Sequence, residues 1–226
     1  MDKLGPAIAI GARIVERGGV ALGLRPYLIE RGLIVARIDF VEEIASLNVS
    51  AVRGDLLKQI VNLNNGIYLD EDIRDGGKTK FCIGVAGYPE KHFESPNLEI
   101  DMQRLKEKVC CGAEYIMTQM FFDNQKFFDF VKKCRENDIN IPIIPGLKPI
   151  TSRKQLSILP RIFHVDIPTA LSEEIMRCKT DDDTEKVGTE WLIEQSKELK
   201  KFGVPVLHYY TLGKPRVIKN VVKELV

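Results

Sequence analysis

Three apolar runs between residues 81 and 149 decide the fold: FCIGVAGYPEKH (81–92), AEYIMTQMFFD (113–123) and INIPIIPGLKP (139–149). They alternate with two charged, amphipathic stretches. Strand-like runs that alternate with helical stretches are typical of consecutive βα units around a parallel sheet. The carboxyl ends of parallel strands form the functional face of such folds. The sequence therefore predicts that binding residues directly follow these strands.

Further elements extend this pattern in both directions. Strands are also predicted over 48–54 and 204–211, and the helical periodicity predicts helices near 55–64, 98–109, 127–134, 152–159, 171–178, 184–202 and 217–226. Asn65-Gly66 is a helix-ending pair, and Pro160 is expected to end the helix that begins at Ser152. The short runs 7–15 and 32–40 fit a strand or part of a helix equally well.

Composition excludes several classes of partner. The 226-residue chain carries 33 basic and 32 acidic residues, a net charge of +1, so nothing favours nucleic acid or a charged membrane. No apolar run approaches the roughly 20 residues that span a bilayer. The five cysteines form no CxxC or Cys/His ligand pattern, so no metal site is predicted and a reducing cytoplasm is expected. Charges at Arg13, Glu16 and Arg17 interrupt the N-terminal apolar stretch, which is therefore expected to belong to the mature protein.

Four strings resemble the methylenetetrahydrofolate reductases: GYPEKH (87–92), TQMFFDNQKFF (118–128), PIIPGLKPIT (142–151) and VLHYYTLGK (206–214). The resemblance runs from about Asn48 to the C-terminus. It implies an α/β fold of the (βα)8 TIM-barrel type, incomplete at its N-terminus. Residues 1–47 form an unassigned segment, and residues 48–226 form the reductase-like barrel portion.

The resemblance also implies a site for FAD. On the residues alone, Asp55 fits a helix N-cap, and the turn-spaced charges of the 98–109 helix fit a solvated face. The family match instead places Asp55 beside the flavin, where its carboxylate tunes the ring. The other positions that the match assigns to the cofactor are Arg53, Gly54, Tyr88, His92, Asp101, Arg104 and Lys108.

A folate site is implied at three further residues. Gln119 is an amide at the end of an apolar strand, where a buried amide needs partners and a pterin edge offers them. The resemblance makes Gln119 a folate contact and places Tyr210 on the pterin or aminobenzoyl part. Lys214 stands where many family members have an arginine that meets the folate glutamate.

The implied activity is the FAD-dependent reduction of 5,10-methylenetetrahydrofolate to 5-methyltetrahydrofolate by NADH or NADPH, in one-carbon metabolism and methionine biosynthesis. The family's general-acid glutamate has no match in residues 1–47, and Glu42 and Glu43 are the nearest acids. The folate half of the reaction is therefore expected to be slow. The alternative is a truncated, catalytically impaired flavin-binding fragment. Open sheet edges also predict a homo-oligomer.

Overall fold

A parallel sheet runs through the part of the protein that the structure describes. The computed structural model describes residues 34–36, 49–68, 77–211 and 215–225. Within these ranges, five strands pair in chain order: β1 (Ile34–Ala36), β2 (Phe81–Gly87), β3 (Tyr115–Met120), β4 (Ile143–Leu147) and β5 (His208–Tyr209). All four pairings are parallel, which confirms the predicted α/β class. The candidate strand or helix at 7–15, the acids Glu42 and Glu43, and Lys214 lie outside the described residues.

Helices connect the strands, as parallel pairing requires. The described residues form α1 (Val49–Asn64), α2 (Leu98–Cys110), α3 (Asn124–Glu136), α4 (Gln155–Phe163), α5 (Thr169–Arg177), α6 (Asp181–Phe202) and α7 (Pro215–Leu225). Several begin at residues that suit an N-cap: the Asn97 side chain accepts a hydrogen bond from the Ile100 amide, and Thr180 and Asp183 form a capping box. Gly66 and Gly112 adopt positive φ just after α1 and α2 end, so these two helix ends match the predicted ones.

Two apolar clusters hold the helices on the sheet. The first packs Ile116 of β3 and Leu147 of β4 against α2, α3 and α6, and includes Phe127 and Leu192. The second contains Met120, Phe122, Ile150, Leu159, Val165, Leu171 and Ile175. Its members come from the end of β3, from the residues after β4, and from α4 and α5. This second cluster therefore supports the carboxyl edge of the sheet, where the binding residues are predicted.

The strand predicted over 48–54 is wrong, because α1 already begins at Val49. The segment NVSAVRG is short, and β-branched residues lower helix propensity only slightly, so the adjoining helical periodicity prevails. Arg53, Gly54 and Asp55 consequently lie within a helix and do not follow a strand. The reading of Asp55 as an N-cap is also wrong, since the helix starts six residues earlier.

The predicted helix end at Pro160 is wrong as well. Helix α4 runs from Gln155 to Phe163 with Pro160 inside it, and it ends at His164, whose φ is 53°. A proline removes one helical hydrogen bond, but Leu159 and Phe163 on either side of it pack into the second cluster. Apolar burial of this kind offsets the lost bond.

A close approach between α6 and the chain after β4 fixes the position of the longest helix. A Cβ atom built on Gly188 would overlap the backbone carbonyl oxygen of Ile150. Glycine is therefore needed at this point of α6 for steric reasons, although it lowers helix propensity. Because Ile150 is only three residues from the end of β4, the contact also fixes the start of the loop that follows this strand.

Gly188→Ala is expected to lower the free energy of unfolding by about 1–3 kcal/mol, because overpacking against Ile150 outweighs the gain in helix propensity. The matched control is Gly77→Ala, since no described atom lies within 4 Å of a Cβ at that position. Urea denaturation measures both changes. A Gly188→Ala protein as stable as the parent would show that the two segments do not approach this closely.

Candidate functional site

Strand register brings the predicted binding residues to one edge of the sheet. Gly87 pairs with Thr118, and Leu147 pairs with Tyr209. Tyr88, Gln119, Lys148 and Tyr210 each follow one of these paired residues, so they line the carboxyl edge on four neighbouring strands. The register thus places the predicted residues Tyr88, Gln119 and Tyr210 at one edge of the sheet, while their binding roles stay predictions.

Thr118 joins three strands at this edge. Its Oγ1 accepts a hydrogen bond from the Gly146 amide at 2.9 Å, at the point where the β3–β4 register shifts. Its carbonyl oxygen accepts a hydrogen bond from the Tyr210 hydroxyl at 2.9 Å. A Cβ on Gly146 would press on the Thr118 carbonyl and on the Tyr210 ring. The ring of Tyr210, a predicted folate contact, is thus held over Gly146 of β4 by a bond to β3, two strands away from β5.

Gln119 presents a defined side of its amide. Its Oε1 accepts a hydrogen bond from the Met120 backbone N–H at 3.0 Å. The acceptor end of the amide is therefore turned to the chain, and the amide nitrogen is turned away from it. A side chain held in this way offers N–H donors to a ligand. This orientation agrees with the role predicted for Gln119 but does not test it.

The loop after β2, residues 88–97, is termed the cofactor loop because it carries Tyr88 and His92. Their rings meet edge to face with centroids 4.5 Å apart. Asp101 of α2 accepts two hydrogen bonds from this loop, one from the His92 amide at 3.0 Å and one from the Ser95 hydroxyl at 2.9 Å. Arg104 reaches the same Ser95 oxygen at 3.3 Å. Four of the residues predicted to bind the cofactor therefore form one cluster.

The remaining predicted cofactor residues are placed less closely. Lys108 lies one turn beyond Arg104 on α2, at i+4, and is partly buried. Arg53, Gly54 and Asp55 belong to α1, for which the backbone alone is described at these positions. Their roles stay predictions, as does that of Lys214.

Sequence reasoning missed Lys148. This lysine follows β4 directly, its side chain is buried with 4% of the residue exposed, and its Nζ donates to the Pro149 carbonyl at 3.1 Å. Lysine is seldom buried to this extent. The signal was present in the sequence, since Lys148 is a charged residue at the end of the apolar run PIIPGL, on the edge where function is expected.

A charged triad joins the cofactor loop, helix α3 and the segment between α4 and α5. Glu90 of the cofactor loop accepts a hydrogen bond from the Asp166 amide at 2.7 Å and lies 3.3 Å from the ammonium of Lys126. Lys126 also bonds to the Asp166 carboxylate. The triad borders an open cleft of about 470 Å³.

Burial and the charged partners act in opposite directions on the pKa values of Glu90 and Lys126, which are both partly buried. Burial raises the pKa of the Glu90 carboxyl, against the Asp166 amide and Lys126, which lower it. For Lys126, burial lowers the pKa but the bonds to Asp166 and Glu90 outweigh it, so the pKa is raised. The Glu90 side chain is 11% exposed and the Lys126 side chain is 31% exposed.

Fold and site together define a parallel α/β protein with its candidate ligand-binding residues at the carboxyl edge of the sheet. Within the described residues, no cluster of three or more His, Cys, Asp or Glu side chains could hold a metal ion. No helix in the described ranges is long and apolar enough to cross a membrane. The sequence profile of methylenetetrahydrofolate reductase matches residues 32–226, and the chain belongs to this family. The match begins earlier than the predicted boundary at Asn48 and includes β1.

Relatives with assigned names agree with this membership. The chain is 30% identical over 233 residues to a Caenorhabditis elegans protein named "Probable methylenetetrahydrofolate reductase (NADPH)", covering 100% of this chain and 35% of the relative. It is 36% identical over 176 residues to the 5,10-methylenetetrahydrofolate reductase of Buchnera aphidicola subsp. Schizaphis graminum, covering 77% and 60%. It is 34% identical over 183 residues to Arabidopsis thaliana methylenetetrahydrofolate reductase (NADH) 1, covering 74% and 31%. The chain thus spans about a third of the worm and plant relatives.

One solved structure resembles part of the chain. It is an uncharacterized protein from Clostridium thermocellum that binds two copies of 5-methyl-5,6,7,8-tetrahydrofolic acid. The TM-score is 0.43 with 19% identity, over 68% of this chain and 54% of that one. Similarity at this level carries no information on the ligand of the present chain.

Asp101→Asn is expected to lower the free energy of unfolding by about 1–3 kcal/mol. An amide has one acceptor oxygen for the two donors that Asp101 serves, so its N–H2 group must face one of them. Urea denaturation measures the loss. The control Glu190→Gln, which removes an exposed carboxylate from α6, should stay within about 0.5 kcal/mol of the parent. An unchanged denaturation midpoint for Asp101→Asn would contradict the role of these bonds.

Proposed function

We propose that the protein reduces 5,10-methylenetetrahydrofolate to 5-methyltetrahydrofolate, with NADH or NADPH as reductant and FAD as cofactor. The observation that carries the proposal is the carboxyl edge, where the predicted folate residues Gln119 and Tyr210 lie beside the cofactor loop. Membership of the reductase family supports the same activity, and it favours an enzyme over a flavin-binding fragment.

The residues around the cofactor loop fit a flavin dinucleotide. Arg104 and Lys108 are cations one helical turn apart, which suits a diphosphate. Tyr88 and His92 supply aromatic and polar contacts at the end of β2. Asp101 holds their loop in place with both carboxylate oxygens. Bound FAD supplies hydride transfer between the nicotinamide and the folate.

The folate subsite extends from β3 to β5. The amide nitrogen of Gln119 is directed toward the acceptor atoms of a pterin, and the ring of Tyr210 packs against the ligand. Tyr210 needs its bond to Thr118 for this placement, because that bond fixes the ring over Gly146. Lys214 attracts the glutamate carboxylates of the substrate.

Several wider features belong to the same proposal. The parallel sheet, with β1 as one of its strands, is part of a (βα)8 barrel, so the barrel portion begins before residue 48. The protein acts as a cytoplasmic homo-oligomer in methionine biosynthesis. Asp55 tunes the flavin, and no residue is assigned as the general acid for opening the folate ring.

Gln119→Glu is expected to weaken folate binding by roughly 5- to 150-fold. A carboxylate keeps the bond to the Met120 amide but cannot donate to the pterin, and an unmet buried partner costs about 1–3 kcal/mol. Fluorescence titration with tetrahydrofolate measures this change, while flavin reduction by NADH should be preserved. Gln103→Glu, on the exposed face of α2, serves as the control. Equal folate affinity in Gln119→Glu and the parent would remove Gln119 from the site.

Separate assays of the two half-reactions test the activity itself. On protein reconstituted with FAD, NADH or NADPH is expected to bleach the flavin absorbance, and 5,10-methylenetetrahydrofolate is expected to restore it. Without a matched general acid the second half should be slower, by about 10²–10⁴-fold relative to a normal reductase. Comparable rates for both halves would contradict that deficit. Protein that neither retains FAD nor oxidises the nicotinamide would contradict the proposed function.

A further inference from the structure

Two independent contacts tie the cofactor loop to residues 164–166, a segment more than 70 residues away along the chain. This segment lies between α4 and α5 and is termed the docking segment. The first contact is polar, from Glu90 to the Asp166 amide and to Lys126 of α3. The second is aromatic and involves Phe93. Neither contact is a backbone hydrogen bond within a helix or between paired strands. Both contacts therefore bear on where the loop lies.

The Glu90 end of the polar contact is shielded from solvent, whereas the Asp166 side chain is 81% exposed. The Glu90 side chain is 11% exposed, and its Oε2 lies 2.7 Å from the Asp166 nitrogen. Lys126 bridges the Glu90 and Asp166 carboxylates. Ion pairs at exposed sites contribute little, but a charged acceptor bonded to a backbone N–H in a shielded position is stronger. Glu90 therefore fixes the first part of the cofactor loop, at a position two residues from both Tyr88 and His92.

The aromatic contact is a stack of three rings. Phe93 lies between His92, with centroids 5.0 Å apart and planes at 27°, and His164, at 4.4 Å and 19°. His164 is placed for this by its left-handed conformation at the end of α4, with φ of 53°. Phe93 remains 58% exposed, so the stack leaves much of the residue in contact with solvent. His92, a predicted cofactor contact, is thus packed directly on the residue that docks the loop.

We infer that Glu90 and Phe93 are positioning residues: by docking the cofactor loop on residues 164–166, they hold Tyr88 and His92 in the geometry that binds the flavin. The inference rests on the proposed function for the identity of the ligand. The docking itself involves only residues of this chain. Asp101 anchors the loop from the side of α2, and Glu90 and Phe93 anchor it from the side of α3 and α4.

The test combines hydrogen exchange on the apoprotein with FAD binding. In Glu90→Gln the charge facing Lys126 is lost, and in Phe93→Ala the stack is lost. Each variant is expected to speed exchange of the amides of residues 91–95 and to weaken FAD binding by roughly 2- to 10-fold, the range typical of one such contact. Phe93→Tyr keeps the ring and should restore both readouts. Lys133→Met is the matched control, because Lys133 lines the same cleft and, in the described part of the chain, forms no ion pair.

Specific outcomes overturn the inference. Parental exchange and parental FAD affinity in both variants would show that the contacts do not position the loop. Faster exchange spread over β3 and β4 would show a general loss of stability and would count equally against positioning. If the parent protein binds no FAD, the proposed function fails, whereas faster exchange confined to residues 91–95 would still support the docking.

Discussion

The carboxyl edge depends on the side chain of Thr118. Where β3 and β4 change register, a backbone amide would lose its ladder partner, and the Thr118 hydroxyl accepts that bond from Gly146. The same residue accepts the Tyr210 hydroxyl through its carbonyl oxygen. A buried polar group without a partner is costly. The Thr118 hydroxyl therefore allows the β3–β4 register shift without leaving the Gly146 amide unpaired. Gln119 and Tyr210 owe their common location to it.

Asp101 shows how a residue can serve a site by holding the loop that carries other residues of that site. Family resemblance assigns it to the cofactor, and on the helix surface it also fits a solvated charge. The structure instead gives both of its oxygens to the loop that carries His92. A contact with the cofactor would have to use the remaining lone pairs of the same carboxylate. Its removal would therefore disturb the loop and the ligand together, which is why stability and binding need separate measurement.

The sequence was sufficient for features that are local. The apolar run AEYIMTQMFFD predicts β3 and places Gln119 near its carboxyl end. Helical spacing predicts α2 and α6. It was insufficient where distant residues decide the outcome. The bond between Glu90 and Asp166 joins residues 76 positions apart, and nothing near either residue signals it. Residues 49–54 resemble a strand locally, yet they form the first turns of α1. Intrinsic strand propensity is a weak preference, and the helical residues that follow override it.

The anchored cofactor loop has a consequence for the thermodynamics and kinetics of ligand capture. When a loop becomes ordered only on binding, the loss of its conformational entropy lowers the affinity. The ordering also adds a slow rearrangement to association. Here side-chain bonds and ring stacking within the chain itself restrict residues 90–95. Association should then be a single bimolecular step, with an entropy change close to that of a rigid pocket.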